Sequence, residues 1–349
     1  MKSLKKVKSI ELKKNKSIVD ILKDMMNTGF QGKGLASAYS IMKKMIEDSD
    51  TTIILGYSGS MSTTGQWKQI QWLIENNFVD IIVPTGANIS EDIVEGMGYS
   101  YYQCPEKFDD SNLFKEGYNR YYDILGKEVD YLEMTELIAE FILTLQQDYL
   151  YSSREFLYQF GLWLNDKNIQ SIVATAAINN VPIFCPALVD SPYGDAALIA
   201  KSKGFKLTID SVKDYTEFMS LAESVIDTGV IYIGGGVPKD FIQLFSVTAD
   251  LMYENREIPN RTSSKIRKGT SESYYPHKYA VQVTTDSPQW GGLSGCTFSE
   301  AISWGKESDN GNFVQCYCDA TIAFPILIQA LNDSVEIKRN KRDMYNKVK

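Results

Sequence analysis

Six short runs in this 349-residue chain are nearly continuous in Val, Ile and other apolar residues, and each ends in small or turn-forming residues. They are TTIILGYSGS (Thr51 to Ser60), VDIIVPTGAN (Val79 to Asn88), VPIFCPALVD (Val181 to Asp190), GVIYIGGG (Gly229 to Gly236), KYAVQVTTD (Lys278 to Asp286) and VQCYCDAT (Val314 to Thr321). A strand with one wet face alternates apolar and polar residues, whereas a strand covered on both faces does not. The runs therefore predict a parallel sheet sandwiched by helices. The intervening segments have helical period: Trp67, Ile70, Leu73 and Ile74 share one face, and Pro238 sits where a first-turn proline belongs. Strand, small-residue turn, helix, repeated, defines an α/β fold: Rossmann-like, doubly wound, mostly parallel, with helices on both faces.

The length suits two average domains or one large α/β unit. We expect a basic N-terminal arm over 1–28, a single α/β domain over 29–332 and a basic C-terminal tail over 333–349. Segment 255–275 (NREIPNRTSSKIRKGTSESYY) is polar and aperiodic, and reads as a long surface loop or lid. In open parallel sheets ligands bind beyond the carboxyl ends of the strands, which is where the small-residue turns fall.

The single histidine, His277, removes several chemistries: three-histidine zinc, the two-histidine facial triad and the HExxH helix cannot be built. Its place just ahead of a strand predicts a structural role. Five cysteines in an odd, scattered pattern do not form a disulfide framework, which fits a reducing cytoplasm. Cys316 and Cys318, at i and i+2, are expected on one side of a strand, in the core rather than on a metal. No apolar run approaches 18 residues, so no membrane partner is expected. Residues 1–17 carry +6 and 338–349 carry +5 of a net −8, leaving −19 on residues 18–337. Such a body repels nucleic acid and attracts polycations such as polyamines.

Four stretches hold candidate chemistry. GGGVPK (Gly234 to Lys239) follows a strand and opens a helix, so its backbone can approach a phosphate, or it is simply a tight turn. GYSGSMSTTG (Gly56 to Gly65) brings hydroxyls to a second strand end. TGANISED (Thr85 to Asp92) puts Glu91 where a carboxylate can accept from ribose hydroxyls, although Glu91 and Asp92 would also be favoured in any helical first turn. In TTDSPQWGGLSGCTFSEAISWGK (Thr284 to Lys306), Glu300 and Trp304 share a helical face and Lys306 follows Gly305, a helix end. Carboxylate, indole and lysine together can hold an aliphatic amine, and a desolvated lysine can attack an imine. A surface lysine at a helix C-terminus is the plainer alternative.

SEAISWGK, FCPALVDSPYGD (Phe184 to Asp195), IGGGVPK, CDATIAFP (Cys318 to Pro325), LGYSGSMSTTG and the VDIIVPTGA run resemble the deoxyhypusine synthase family, in order and spacing, over residues 29–330. The resemblance implies a homotetramer and NAD as cofactor. It implies oxidation of spermidine, release of diaminopropane, passage of the 4-aminobutyl group to an enzyme lysine as an imine, then transfer to an acceptor amine and reduction. On this resemblance Lys306 matches the imine-forming lysine, and Asp195, Glu300 and Trp304 match substrate positions. Ser60, Thr63, Thr85, Gly86, Glu91, Asp190, Gly234, Gly235, Thr285, Asp286, Ser294, Asp319 and Ala320 fall at cofactor positions.

The chain departs from the family pattern on the acceptor side. It has Asp240, counted here with the substrate-binding residues, where the protein-modifying enzymes have a histidine, Gln282 where they have a tyrosine, and Leu293 near the place of an aspartate. TTDSPQWGGLSGCT resembles the deoxyhypusine synthase-like branch. The expected activity is therefore aminobutyl transfer from spermidine to a small amine such as putrescine, giving homospermidine. The alternatives are a true deoxyhypusine synthase acting on a lysine of the hypusine-bearing translation factor, and a non-catalytic polyamine-binding paralogue.

Overall fold

The computed structural model describes residues 4–248 and 276–348. Segment 255–275, read above as a loop or lid, lies outside the described residues. The chain forms two compact units.

The first unit comprises the residues up to Tyr57, Asn77–Val79 and Met219–Asn340. Four strands of the parallel sheet lie in it, in the order Glu307–Tyr317, His277–Thr284, Asp227–Ile233, Thr51–Tyr57. All three pairings are parallel. Thr51–Tyr57 is buried at every position, as a strand covered on both faces must be. Glycines let helices approach each face. A Cβ on Gly229 would meet the Met45 side chain of the Phe30–Glu47 helix, and one on Gly56 would meet Ile242 of the Gly236–Thr248 helix. Helices thus cover both faces, as the unbroken apolar runs predict. Helix Ile18–Met25 falls within the expected basic arm; Ser17 caps it and Leu22 is buried.

The second unit comprises Ser58–Asn76, Asp80–Phe218 and the residues from Lys341 onward. It holds strand Ile81–Pro84, helix Trp67–Glu75 with Trp67, Ile70, Leu73 and Ile74 buried, and a small antiparallel sheet of Tyr102–Gln103, Tyr118–Tyr121 and Ile124–Lys127. Helix Ser153–Asp166 starts from a complete capping box between Ser152 and Glu155. Tyr345 stacks on Tyr158 at 3.7 Å between ring centroids and lies under the Arg154 guanidinium, tying the C-terminal residues to this unit.

Two expectations are corrected. VPIFCPALVD forms no strand; only Ile183 makes a bridge, to Ile82. Pro182 and Pro186 have no N–H to give a ladder, which confines pairing to the residues between them. Cys316 is buried in the last strand, but that strand ends at Tyr317 and Cys318 lies beyond it, half-buried, so the two cysteines do not share a strand face. Among the described residues no helix is long and apolar enough to cross a membrane.

Candidate active site

Lys306 is placed by the end of a helix. Thr297 caps Phe298–Trp304 by accepting the Glu300 N–H. At the other end Gly305 takes φ +82°, its N–H bonds Ile302 O and the Lys306 N–H bonds Ala301 O. This is a Schellman closure, and glycine meets its left-handed requirement without a Cβ penalty. The closure turns neighbouring side chains apart: Trp304 is 63% exposed, while Lys306 is only 9% exposed. The Lys306 carbonyl then accepts the His277 N–H, and the chain enters the sheet at Glu307.

The Lys306 Nζ lies 3.1 Å from Asp240 Oδ1 and 5.5 Å from the centroid of the Trp304 ring. Asp240 comes from Gly236–Thr248, just past its first turn, and is half exposed. An ion pair with one open partner contributes little stability; its effect is to fix where the amine points. Glu300 is exposed on the same short helix as Trp304.

Behind this pair lies Lys239, which is fully buried. Its Nζ donates to Cys296 O at 2.7 Å, Gln282 Oε1 at 3.0 Å and Leu293 O at 3.3 Å. It also lies over the Tyr232 and Phe298 rings. Burial pushes its ammonium down to about 8, and the nearby Lys306 charge adds to this. Gln282 donates to Gly234 O and Ser294 O, and Gln315 donates to Gln282 Oε1 and Cys296 O. Three side chains from one helix and two strands thereby pin the loop that follows the His277–Thr284 strand.

The glycine turn belongs to the same unit. Gly234 and Gly236 have φ +71° and +60°. A Cβ on Gly235 would sit 2.5 Å from Ser294 Cα, and Gly236 N–H donates to Ser294 Oγ. A thirteen-residue helix opens at this turn, and its N-terminal N–H groups suit a phosphate. Asp286 caps its own turn through the Ser287 N–H, beside Thr285. Asp319 is the N-cap of Ala320–Asn332, accepting from the Thr321 N–H.

In the second unit Thr85 Oγ1 accepts from Asn88, and Gly86 packs so closely that a Cβ would meet Ser191 Oγ. Glu91 opens the short Glu91–Gly96 helix and is 5% exposed. Burial, with the Asp92 charge beside it, pushes its carboxyl up to about 7. Asp190 and Asp195 are exposed, Asp195 in the first turn of Pro192–Ser202. Thr63 is buried and Ser60 exposed, and the two are joined by a hydrogen bond from the Thr63 hydroxyl to the Ser60 carbonyl.

The structure therefore gathers Lys306, Asp240, Trp304 and the glycine turn with Ser294 in the first unit, and Thr85, Gly86 and Glu91 along one segment of the second. Sequence reasoning missed Lys239 and Gln315. Lys239 did carry a signal: a lysine in a helical first turn opposes the dipole and calls for another explanation.

A parallel α/β sheet here presents a shielded lysine amine to a carboxylate and an indole, groups that suit amine chemistry. The family model described as deoxyhypusine synthase matches residues 20–331. "Probable deoxyhypusine synthase 2" of Archaeoglobus fulgidus is 41% identical over 323 residues, 92% of this chain and 99% of the relative. "Probable deoxyhypusine synthase 1" of the same organism is 34% identical over 328 residues, covering 94% and 98% of the two chains. A crystal structure assigned as a deoxyhypusine synthase from Entamoeba histolytica superposes with a TM-score of 0.62 at 19% identity, covering 97% of this chain and 99% of that one, and so shares the fold. The chain belongs to the deoxyhypusine synthase family, transferases of aminobutyl groups that are characteristically NAD-dependent.

Proposed function

We propose that this protein takes the 4-aminobutyl group of spermidine through an imine on Lys306 and delivers it to a small amine such as putrescine, forming homospermidine. The observation that carries the reading is the 3.1 Å approach of Lys306 Nζ to Asp240 Oδ1. The lysine that the resemblance matches to the family nucleophile has a carboxylate beside it, where the resemblance leads one to expect an imidazole. A carboxylate attracts a free aliphatic diamine, and the acidic body of the protein draws such cations in. Trp304 offers a wall to methylenes, and Glu300 and Asp240 offer carboxylates to ammonium ends; Asp195 is the substrate candidate that the resemblance marks in the second unit.

NAD fits the residues present. A glycine turn without room for a side chain opens a long helix at Gly236, and the Ser294 hydroxyl accepts the Gly236 N–H there; within the second unit Glu91 and Asp190 carry carboxylates of the kind that accept from ribose hydroxyls. When bound, NAD supplies reversible hydride storage. The cofactor candidates within the first unit are Gly234, Gly235, Thr285, Asp286, Ser294, Asp319 and Ala320; Ser60, Thr63, Thr85, Gly86, Glu91 and Asp190 are the candidates that the family resemblance marks within the second. Lys306 supplies the nucleophilic amine and Asp240 orients it. We place the enzyme in the cytoplasm as a homotetramer.

The test is to incubate the protein with NAD and spermidine, trap with borohydride, and add putrescine or the translation factor to untrapped samples. An aminobutyl adduct on Lys306 and homospermidine as product are expected. Transfer to the translation factor alone would establish the second reading, a true deoxyhypusine synthase. Absence of both adduct and diaminopropane would overturn transferase activity and leave the binding paralogue.

A further inference from the structure

The helix that delivers Lys306 is short and lightly anchored. Phe298–Trp304 has seven residues, of which Phe298 and Ala301 are buried. So short a helix does not hold itself in water, and where it lies depends on what ties it down. Just past its end the tie is backbone: the Lys306 carbonyl accepts the His277 N–H at 3.1 Å. At its start Gln315, a residue of the last strand, supplies another. The Gln315 Oε1 accepts the Phe298 N–H at 3.3 Å, and its Nε2 donates to Cys296 O at 2.9 Å. This amide grips the chain on both sides of the cap residue Thr297, and it satisfies one of the N–H groups that a helix start leaves open.

The partners of Gln315 fix which way its amide points. Its Nε2 also donates to Gln282 Oε1 at 2.8 Å. Both oxygens, Gln282 Oε1 and Cys296 O, accept from the Lys239 ammonium as well, at 3.0 and 2.7 Å. Two donors and two acceptors close a ring. A flipped amide would aim its oxygen at two oxygens and its NH2 group at an N–H, so one orientation is imposed. The Phe298 ring packs edge-on against Phe313, with 6.0 Å between centroids. Phe313 and Gln315 lie two apart on the strand and therefore on one face, so ring and amide hold the helix start from the same side.

Resting on the reading that Lys306 is the reactive amine, we propose that Gln315 is a positioning residue: by gripping the start of Phe298–Trp304 it sets where the far end of that helix presents the Lys306 amine to Asp240. Gln315 acts through the helix and takes no part in bond making. Seven residues span about 10 Å, so a tilt of about 10° at the start carries the end by nearly 2 Å. An amine held 3.1 Å from its carboxylate partner loses the contact under such a shift. A reacting group displaced by about 1 Å loses on the order of 100-fold in rate.

The test is a zero-length cross-link in the full chain, with neither polyamine nor NAD present, so its outcome is independent of transfer. A water-soluble carbodiimide activates carboxylates and leaves as its urea, and an amide bond joins Asp240 to Lys306 where the two touch. Peptide mass spectrometry reads that link against the one between Lys278 and Asp227, which meet at 2.6 Å elsewhere in the same unit. In Gln315→Met, which keeps length but makes no amide hydrogen bonds, the Lys306–Asp240 link is expected to fall at least about threefold relative to the Lys278–Asp227 link. Turnover in aminobutyl transfer is expected to fall about 10- to 100-fold with the KM for spermidine changed less than about twofold, the split that a misplaced group produces. Should that variant fail to fold, Gln315→Asn, an amide one methylene too short to bridge residue 297, is expected to lose the link in the same way. An unchanged ratio of the two links in a folded variant overturns the proposal, whether neither link falls or both fall together through general loosening. So does a raised KM with kcat unchanged. If the link falls as expected while the parent traps no aminobutyl group, the positioning stands and the transferase reading fails.

Discussion

Lys306 and Asp240 meet at 3.1 Å although one sits past the end of a seven-residue helix and the other just past the first turn of a different one. Because the pair is anchored at both ends by backbone, either residue can be altered without moving the other. Lys306→Ala is expected to lower aminobutyl transfer by at least about 1,000-fold, as loss of a covalent nucleophile does. Binding of NAD, measured by titration calorimetry, should be nearly unchanged. A variant that still made product at the parental rate would exclude the imine on Lys306.

Asp240→His puts the family imidazole beside the amine. The ratio of transfer to the translation factor over transfer to putrescine should rise by about tenfold or more, with NAD affinity changed less than about twofold. Competition assays with both acceptors present measure this ratio directly. An unaltered ratio would remove Asp240 from acceptor choice.

Gln282→Leu withdraws an acceptor from the buried Lys239 ammonium and both donors that hold Gly234 O and Ser294 O. The expected cost is about 2–4 kcal/mol of unfolding free energy, read by denaturant titration. A loss below about 0.5 kcal/mol would mean that water substitutes for the amide.

Two buried groups give opposite pH dependences. Glu91 ionises near 4.5 when unfolded and near 7 when folded, so rising pH across that window favours the unfolded chain and stability is lost between the two values. Glu91→Gln should remove this, gaining on the order of 1–3 kcal/mol over the parent between pH 5 and pH 8. The same titration predicts weaker NAD binding below pH 7, where the carboxyl can no longer accept two ribose hydroxyls; a flat affinity profile would count against that role. His277 behaves inversely. Burial pushes it down to about 3, so stability is lost as pH falls from about 6.5, the unfolded value, toward 3.

The strands at Thr51–Tyr57, Ile81–Pro84 and Asp227–Ile233 were legible because burial on both faces writes an unbroken apolar run. The last strand was only half legible. It begins at Glu307, and its first residues are ESDNGN, a polar stretch that reads as loop. The misread VPIFCPALVD shows the reverse: apolar content without N–H groups to pair. The placing of Glu300 and Trp304 on one short helix, with Lys306 just past its end, could be read from helical spacing, because a helix sets a known geometry; their roles could be read only from the family resemblance. The Lys239, Gln282 and Gln315 network could not, since it joins residues 33 to 76 positions apart that meet only once the sheet forms.

The left-handed turn at Gly305 separates what is held constant from what can drift. The lysine is delivered by its own helix closure, while Asp240, Gln282 and Leu293 hang from other elements. Substitutions on those elements can reshape the space in front of the amine one wall at a time without disturbing how the amine is presented. A fold arranged this way can change clientele while keeping its trade, and the place to look for a new acceptor in any such chain is the wall, not the lysine.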